Sequence, residues 1–276
     1  MKIIKHSGHI VEFSRDKLKR SLTKSGASPA IVKDVLKQIE KQLYEGIPTK
    51  QIYKQAFTLL KKASNSHAAR YNLRAALQLL GPTGFFFEKF IARLYASEGF
   101  ETRINLTLQG KCVSHEIDVA IKKNNDISIV ECKFHNSREA NSDVKVPLYI
   151  LSRFSDLKVN RHIIFSQSDA ITNCTIVTNN RFTTDAITFA NCSGIGLLSW
   201  DYPLDDSIRL KIDTNNLYPV TCLTTLSAVE KEKLMILEVI LVRELINNVA
   251  SLQQIGLSDT RIKNVMKEAS ELCKYL

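Results

Sequence analysis

The chain opens with two short apolar runs, Ile3-Ile4 and Ile10-Val11-Glu12-Phe13, around Ser7-Gly8-His9, which predicts a small β-hairpin. The period then changes. Leu18 and Leu22, then Ile31, Val35, Leu36, Ile39 and Leu43, then Ile52, Phe57 and Leu60 recur at the three- and four-residue spacing of apolar positions on one helix face. Breaks at Ser25-Gly26 and Gly46-Ile47-Pro48 divide this stretch into several helices. Gly81-Pro82-Thr83-Gly84 interrupts the chain again, since proline lacks a donor and glycine relaxes the backbone, and marks a domain boundary.

Beyond it, Phe87, Phe90, Ile91, Leu94 and Tyr95 form one helical stripe, with Glu88 beside it in the first turn. Alternation returns at Ile104, Leu106 and Leu108, again from Ile117 to Ile121, and after the turn Lys123-Asn124-Asn125-Asp126 from Ile127 to Phe134. A helix over Val144 to Phe154 follows, then strands at His162 to Phe165 and Thr175 to Val177, a helix from Thr183 to Ala190 and a strand from Gly194 to Trp200. Strands separated by helices predict an α/β sheet. The tail reads as helical, starting at Ser227 with Glu230 three residues on, a capping-box spacing, and again at Ser258. The expected layout is a first domain over 1–80, a second over 84–200, and a connecting segment with a helical region over 201–276.

Charge refines this division. Residues 1–80 hold 16 of the 38 Lys/Arg and 5 of the 28 Asp/Glu, an excess of +11, whereas the remainder is close to neutral at −1. Such a surface attracts phosphates, free or in a nucleic acid, unless it is simply a solvated helical face. The six cysteines are scattered without a C-x-x-C pair, which argues against a zinc ribbon and for reduced thiols. The most apolar stretch, Leu234 to Val242, carries Glu238 and is too short for a membrane span, so the expectation is a cytoplasmic protein with no membrane partner.

Candidate chemistry lies in the second domain. In the run Ile127 to Phe134, alternation puts Glu131 and Lys133 on the face shared with Ile127 and Ile129, so one face begins apolar and ends ionic. Asp118, on the preceding strand, would be brought beside Glu131 by a hairpin through Asn124-Asn125. Two adjacent carboxylates repel unless a hard cation such as Mg²⁺ joins them, and a metal so held can activate water at a phosphodiester. An ordinary cross-strand ion pair fits the spacing about as well.

The segments Phe87-Glu88-Lys89-Phe90, His115-Glu116-Ile117-Asp118-Val119, Val130-Glu131-Cys132-Lys133-Phe134 and Ile176 to Thr183 together resemble the PD-(D/E)xK nucleases of the Mrr-like restriction endonuclease group, over about Gly84 to Trp200. The resemblance implies a mixed sheet flanked by helices, Asp118 and Glu131 as ligands of Mg²⁺ or Mn²⁺, Lys133 as the catalytic lysine, Glu88 as an outer metal ligand, and DNA as substrate. Ile117 stands where the family's proline would be. His115 and Gln167 read more readily as ordinary polar positions. Thr178, Asn179 and Arg181, ahead of a helix, are open to either phosphate binding or local capping.

Residues 2–80 resemble an ATP-cone through Ile4-Lys5, Gly8, Val11, Phe13, Lys17, Leu22, Thr49, Ile52 and Ala69-Arg70-Tyr71. This implies ATP or dATP as a regulatory ligand, with Lys5, His6 and Lys17 at phosphate-contacting positions, His6 replacing the usual arginine, and Phe13 and Tyr71 either bordering the base or packing in the core. Ile255-Gly256-Leu257 loosely resembles the turn of a helix-hairpin-helix, which offers backbone N–H groups to phosphates; packing or dimerisation explains it equally well. No G-x-x-x-x-G-K-[ST] loop occurs, so nucleotide is expected as a switch rather than a fuel. The expected function is a metal-dependent DNA endonuclease of restriction or genome-defence type, homo-oligomeric and nucleotide-regulated. The rivals are a DNA-binding regulator with a silent nuclease fold and a repair or junction nuclease.

Overall fold

A computed structural model describes residues 1–5 and 7–273. The chain divides into two compact units, one made of Met1–Ala76 together with Val220 onward, the other of Leu77–Pro219.

The first unit begins with β1 (Lys2–Ile4), which pairs antiparallel with β2 (Ile10–Glu12) as the hairpin pattern predicts. Ser14 caps α1 (Arg15–Lys24) by accepting from Lys17 N, and Ser28 with Pro29 starts α2 (Pro29–Glu40). The break at Gly46-Ile47-Pro48 is more than an interruption: Ile47–Pro48 forms β3, parallel to β1, and Ile47 is fully buried. Next come α3 (Thr49–Ala63), α4 (Asn65–Tyr71) and α5 (Leu73–Gln78). The helical stripes read from the sequence meet in one core of Leu22, Val35, Leu36, Ile39, Ile47 and Leu60. Each such side chain contributes about 1.5–3 kcal/mol by leaving water.

In the second unit α6 (Phe85–Ser97) starts at Gly84, whose φ of 90° suits glycine. It is followed by β4 (Glu101–Gln109), β5 (Ser114–Lys123), β6 (Asp126–Lys133), β7 (Asn141–Ser142), α7 (Lys145–Leu157), β8 (Asn173–Thr178), β9 (Arg181–Phe182), α8 (Thr184–Cys192), β10 (Gly196–Leu198) and α9 (Ile208–Asn215). The main sheet runs β10-β8-β6-β5-β4, antiparallel from β4 to β6 and parallel from β6 to β10; β7 and β9 form a separate parallel pair. One face packs Ala120, Ile127 and Ile129 against Ile150 and Leu157 of α7. The strand expected at His162 to Phe165 does not form. Asp169 Oδ2 instead accepts from the amides of Ile164, Phe165 and Ser166, at 3.3, 2.7 and 2.8 Å, so the groups a strand would offer to a ladder close a loop, and only a single bridge from His162 to Asp169 remains.

The entry to this unit is tightly packed. A Cβ at Gly81 would lie 2.3 Å from Phe134 Cε1 and 2.9 Å from Asn136 Oδ1, and the Phe134 ring in turn meets Phe87 at a centroid distance of 5.6 Å. Gly81→Ala should therefore cost about 1–3 kcal/mol by overpacking. An unchanged midpoint in thermal unfolding would show that Phe134 yields freely.

Residues from Val220 rejoin the first unit through a 3₁₀ turn (Val220–Cys222), α10 (Ala228–Ile236), α11 (Val242–Asn247), α12 (Ala250–Gln254) and α13 (Asp259–Cys273). The segment expected as one region over 201–276 is thus shared: α9 lies with the sheet and the later helices with the N-terminal elements. Helix α13 packs on α4, Arg70 Nη2 donates to Leu272 O at 2.8 Å, and Thr221 Oγ1 donates to Ala76 O at 2.8 Å. Glu268, 1% exposed, accepts from the amides of Thr224 and Thr225 at 2.7 and 2.9 Å and from the Thr225 hydroxyl at 2.7 Å.

The capping box at Ser227 and Glu230 is present. Arg261 of α13 donates to both Glu230 carboxylate oxygens, and with the Ser227 groups this holds Glu230 down to about 2. Because the folded value lies below the ordinary 4.5, the stabilisation is fully present above that pH and is lost as pH falls toward 2. Arg261 faces solvent, which screens its part of this contribution. Glu230→Gln should lower the melting temperature at pH 7 and have little effect near pH 2; an equal deficit at both would mean that charge is not the cause. Among the described residues, no helix is long and apolar enough to cross a membrane, and all six cysteines are free thiols.

Candidate active site

The hairpin of β5 and β6 closes through Asn124, whose φ of 56° is one that asparagine tolerates. Val119 pairs with Val130, and one further step of that register sets Asp118 opposite Glu131. Both lie where the apolar face of Ala120, Ile127 and Ile129 runs out. Asp118 Oδ2 accepts from Cys132 N at 2.7 Å, fixing the carboxylate at the strand end. Across from it on β4, Asn105 has a φ of 54° and interrupts the ladder between the pairs Ile104–Val119 and Leu106–Ile117. Glu88, Asn105, Thr107, Glu116 and Asp118 line a pocket of about 330 Å³. Lys133, two positions after Glu131, is exposed.

The carboxylates are coupled. Burial, and then the charge of Asp118, push Glu131 up to about 7 despite Arg153 and Lys133, which act the other way. Glu88 rises to about 7 for the same two reasons. Burial raises Asp118 as well, opposed by the Cys132 amide. This donor set consists of oxygens whose ionised forms a divalent cation would favour, so it suits a hard ion such as Mg²⁺. Among the described residues, no group of three or more His, Cys, Asp or Glu is placed to hold a metal ion.

Other candidates from the sequence lie elsewhere. His115 Nε2 donates to Asp156 Oδ2 at 2.9 Å and, as the main influence, draws Asp156 down to about 2, so it ties β5 to α7. Asn179 is engaged within its own loop: its side chain accepts from His135 N at 2.8 Å and donates to His135 O at 2.9 Å, while Asn180 Nδ2 donates to Ser137 O at 2.5 Å and Ala140 O at 2.8 Å. Together they clamp the loop after Lys133. Arg181 pairs with Asp201 at 2.6 Å, and Thr183 caps α8. Gln167 sits in the loop built on Asp169. In the turn after α12 the amides of Gly256 and Leu257 donate to Gln253 O at 2.9 Å and Leu252 O at 3.1 Å, so they close the helix and are not available to a phosphate.

The first unit has its own pocket, of about 280 Å³, lined by Lys5, Phe13, Lys17, Thr49, Tyr53 and Tyr71 among others. Lys5 and Lys17 are exposed at its edge. The Tyr53 and Tyr71 rings stack at 4.9 Å, and Tyr53 Oη donates to Asn72 Oδ1 at 2.6 Å. Burial pushes the Tyr71 phenol well up, which keeps it neutral. His6, expected here, lies outside the described residues. Tyr53 went unread in the sequence; a tyrosine next to Ile52 in an amphipathic helix is the signal that could have found it.

Comparison with known proteins matches residues 1–75 to the ATP cone domain, 80–201 to the restriction endonuclease family of Mrr catalytic domains, and 218–273 to the AF1548-like C-terminal family. The chain belongs to the Mrr-like restriction endonuclease family, fused to an ATP cone. An uncharacterized protein of Archaeoglobus fulgidus is 33% identical over 186 residues, 66% of this chain and 99% of the relative. The crystal structure of the protein of unknown function AF1548 superposes with a TM-score of 0.57 at 30% identity, covering 69% of this chain and 98% of that one. MspJI restriction endonuclease bound to a 27-mer oligonucleotide aligns over 48% of this chain and 29% of its own, at 12% identity and a TM-score of 0.32, too low to carry any argument. The ATP-cone and endonuclease domains place the chain within a nuclease family.

Proposed function

We propose that the central domain is a divalent-metal-dependent DNA endonuclease with Asp118, Glu131 and Lys133 as its working residues. The observation that carries this reading is the nearness of Asp118 and Glu131, one step past the Val119–Val130 pair of the β5–β6 hairpin, where the charge of Asp118 acts on Glu131 and both carboxylates sit in a partly buried setting that disfavours their charge. Asp118 and Glu131 would hold Mg²⁺ or Mn²⁺, and Glu88 would act from an outer position. The bound metal supplies an activated water near neutral pH and charge neutralisation at the phosphate. The Cys132 amide fixes Asp118, and Lys133 adds a positive charge beside the same carboxylates, able to steady a phosphate oxygen or the attacking water. The test is incubation of duplex, methylated, junction and single-stranded DNA with Mg²⁺, Mn²⁺ or a chelator. Cleavage unaffected by chelation removes the metal reading, and binding without any cleavage makes the domain a silent nuclease fold serving a regulator.

The first unit is read as the binding site for ATP or dATP. Lys5 and Lys17 suit the phosphates, His6 is the remaining candidate there, and the stacked Tyr53 and Tyr71 offer an aromatic wall for the base. Nucleotide binding would act as a switch without hydrolysis, provided it favours one arrangement or assembly of the chain over another. Its measurable form is a change in homo-oligomer mass or cleavage rate that ATP and a non-hydrolysable analogue produce equally. Dependence on hydrolysable ATP alone would overturn the switch. A cytoplasmic, genome-defence setting fits this combination of a DNA-cutting domain with a nucleotide sensor.

A further inference from the structure

Arg153 lies on α7, outside the hairpin, and touches three elements at once. Nη1 donates to Glu131 Oε2 at 2.5 Å and to the main-chain oxygen of Glu116 on β5 at 3.2 Å. Nη2 donates to Tyr149 Oη at 3.0 Å, one helical turn earlier, and the guanidinium stands 5.0 Å from the centroid of the same ring. The Arg153 side chain is 13% exposed. An exposed ion pair between two flexible chains needs none of this. A planar guanidinium braced by a main-chain carbonyl, a phenol oxygen and an aromatic face is a fixed donor fork, a role an ammonium does not fill.

The consequence falls on Glu131. Of its two oxygens, Oε2 is taken by Arg153, and no described group donates to Oε1. The carboxylate is therefore oriented by one oxygen while the other is left without a protein partner. Outer partners of this type govern how well a carboxylate serves a metal, and their loss typically costs about 10–100-fold in affinity. We infer that Arg153, steadied by Tyr149, is a positioning residue that orients Glu131 for a divalent cation. The inference rests on the metal-nuclease reading above. It is opposed by two others: a strut indifferent to metal, and a counter-charge that competes with metal for Glu131.

Mn²⁺ titration of the full chain separates them. Arg153→Met should weaken Mn²⁺ binding about 10–100-fold. Arg153→Lys should recover only part of the loss, because one ammonium cannot reach all three partners. Tyr149→Phe removes a single hydroxyl from a side chain that is 59% exposed, so it should leave the fold intact and weaken Mn²⁺ binding by a smaller factor. Cleavage lost in either Arg153 variant should return largely on raising Mn²⁺. If Arg153→Met fails to fold, Arg153→Lys and Tyr149→Phe carry the test. Mn²⁺ binding that is unchanged or tighter in these variants, while Asp118→Asn loses it, overturns the inference and leaves the nuclease reading standing. A wild-type chain that binds no Mn²⁺ overturns that reading, and the inference with it.

Discussion

Asp118→Asn should reduce cleavage of a susceptible DNA under single-turnover conditions by about a thousand-fold or more, with the protein still folded. The substitution keeps the side-chain shape and removes the charge that acts on Glu131 and Glu88 and on which the proposed metal binding would depend. Lys133→Ala should cost a similar amount, since the exposed lysine supports no packing and its loss acts on the chemistry alone. Residues that act as a unit are not additive, so the double variant should be scarcely slower than the worse single one. Circular dichroism establishes the fold in each case. Wild-type rates for Lys133→Ala would remove it from the site; a double variant slowed by the product of the two single effects would show that the residues act independently.

Lys17→Ala should weaken ATP or dATP binding about 10–100-fold, the range expected when a charge-assisted contact is lost. Calorimetry on the full chain gives the measurement, and Lys5→Ala should act in the same direction. The choice of protein matters. Tyr71, which lines the pocket beside Lys5 and Lys17, lies on α4, and α4 is packed by α13 and tied to its end through Arg70. A fragment ending near residue 80 would expose that face of α4 to water, whereas residues 1–76 joined by a flexible linker to 220–273 would restore it. The joined fragment should bind nucleotide as the full chain does, and the shorter one less tightly. Equal affinity in the two would show that α13 does not support the pocket, and an unchanged Lys17→Ala would place the phosphates elsewhere.

The approach of Asp118 to Glu131 is legible in the sequence because a hairpin is local: period-two alternation and a two-residue turn suffice to bring the two strand ends together, one step past the Val119–Val130 pair. Arg153 is not, since its approach to Glu131 depends on how α7 lies on the sheet, and a lone arginine on an amphipathic helix carries no sign of that. Helices with regular stripes, α1 to α3 and α6, are equally readable. Ile47–Pro48 is not, because two residues ending in proline look like a turn until β1 is beside them. His162 to Phe165 has the composition of a strand, but the decisive residue is Asp169, whose carboxylate takes the amides of Ile164, Phe165 and Ser166. Local pattern predicts a ladder; a side chain three to five residues away closes a loop instead. The association of Val220 onward with the N-terminal elements is likewise invisible to periodicity, which shows that a face is apolar without naming its partner.

That association also orders events during synthesis. The elements from β1 to α4 leave the ribosome before the helices that complete their unit, which follow only after the whole Leu77–Pro219 unit has been made. At about 5–20 residues per second, the intervening chain takes roughly 7–30 s to translate. Within that interval the β5–β6 hairpin, once made, is free to fold, while α4 still waits for α13. The Leu77–Pro219 unit can therefore mature before the first unit is whole, and whatever property of the first unit depends on α13 arises only once that helix has emerged.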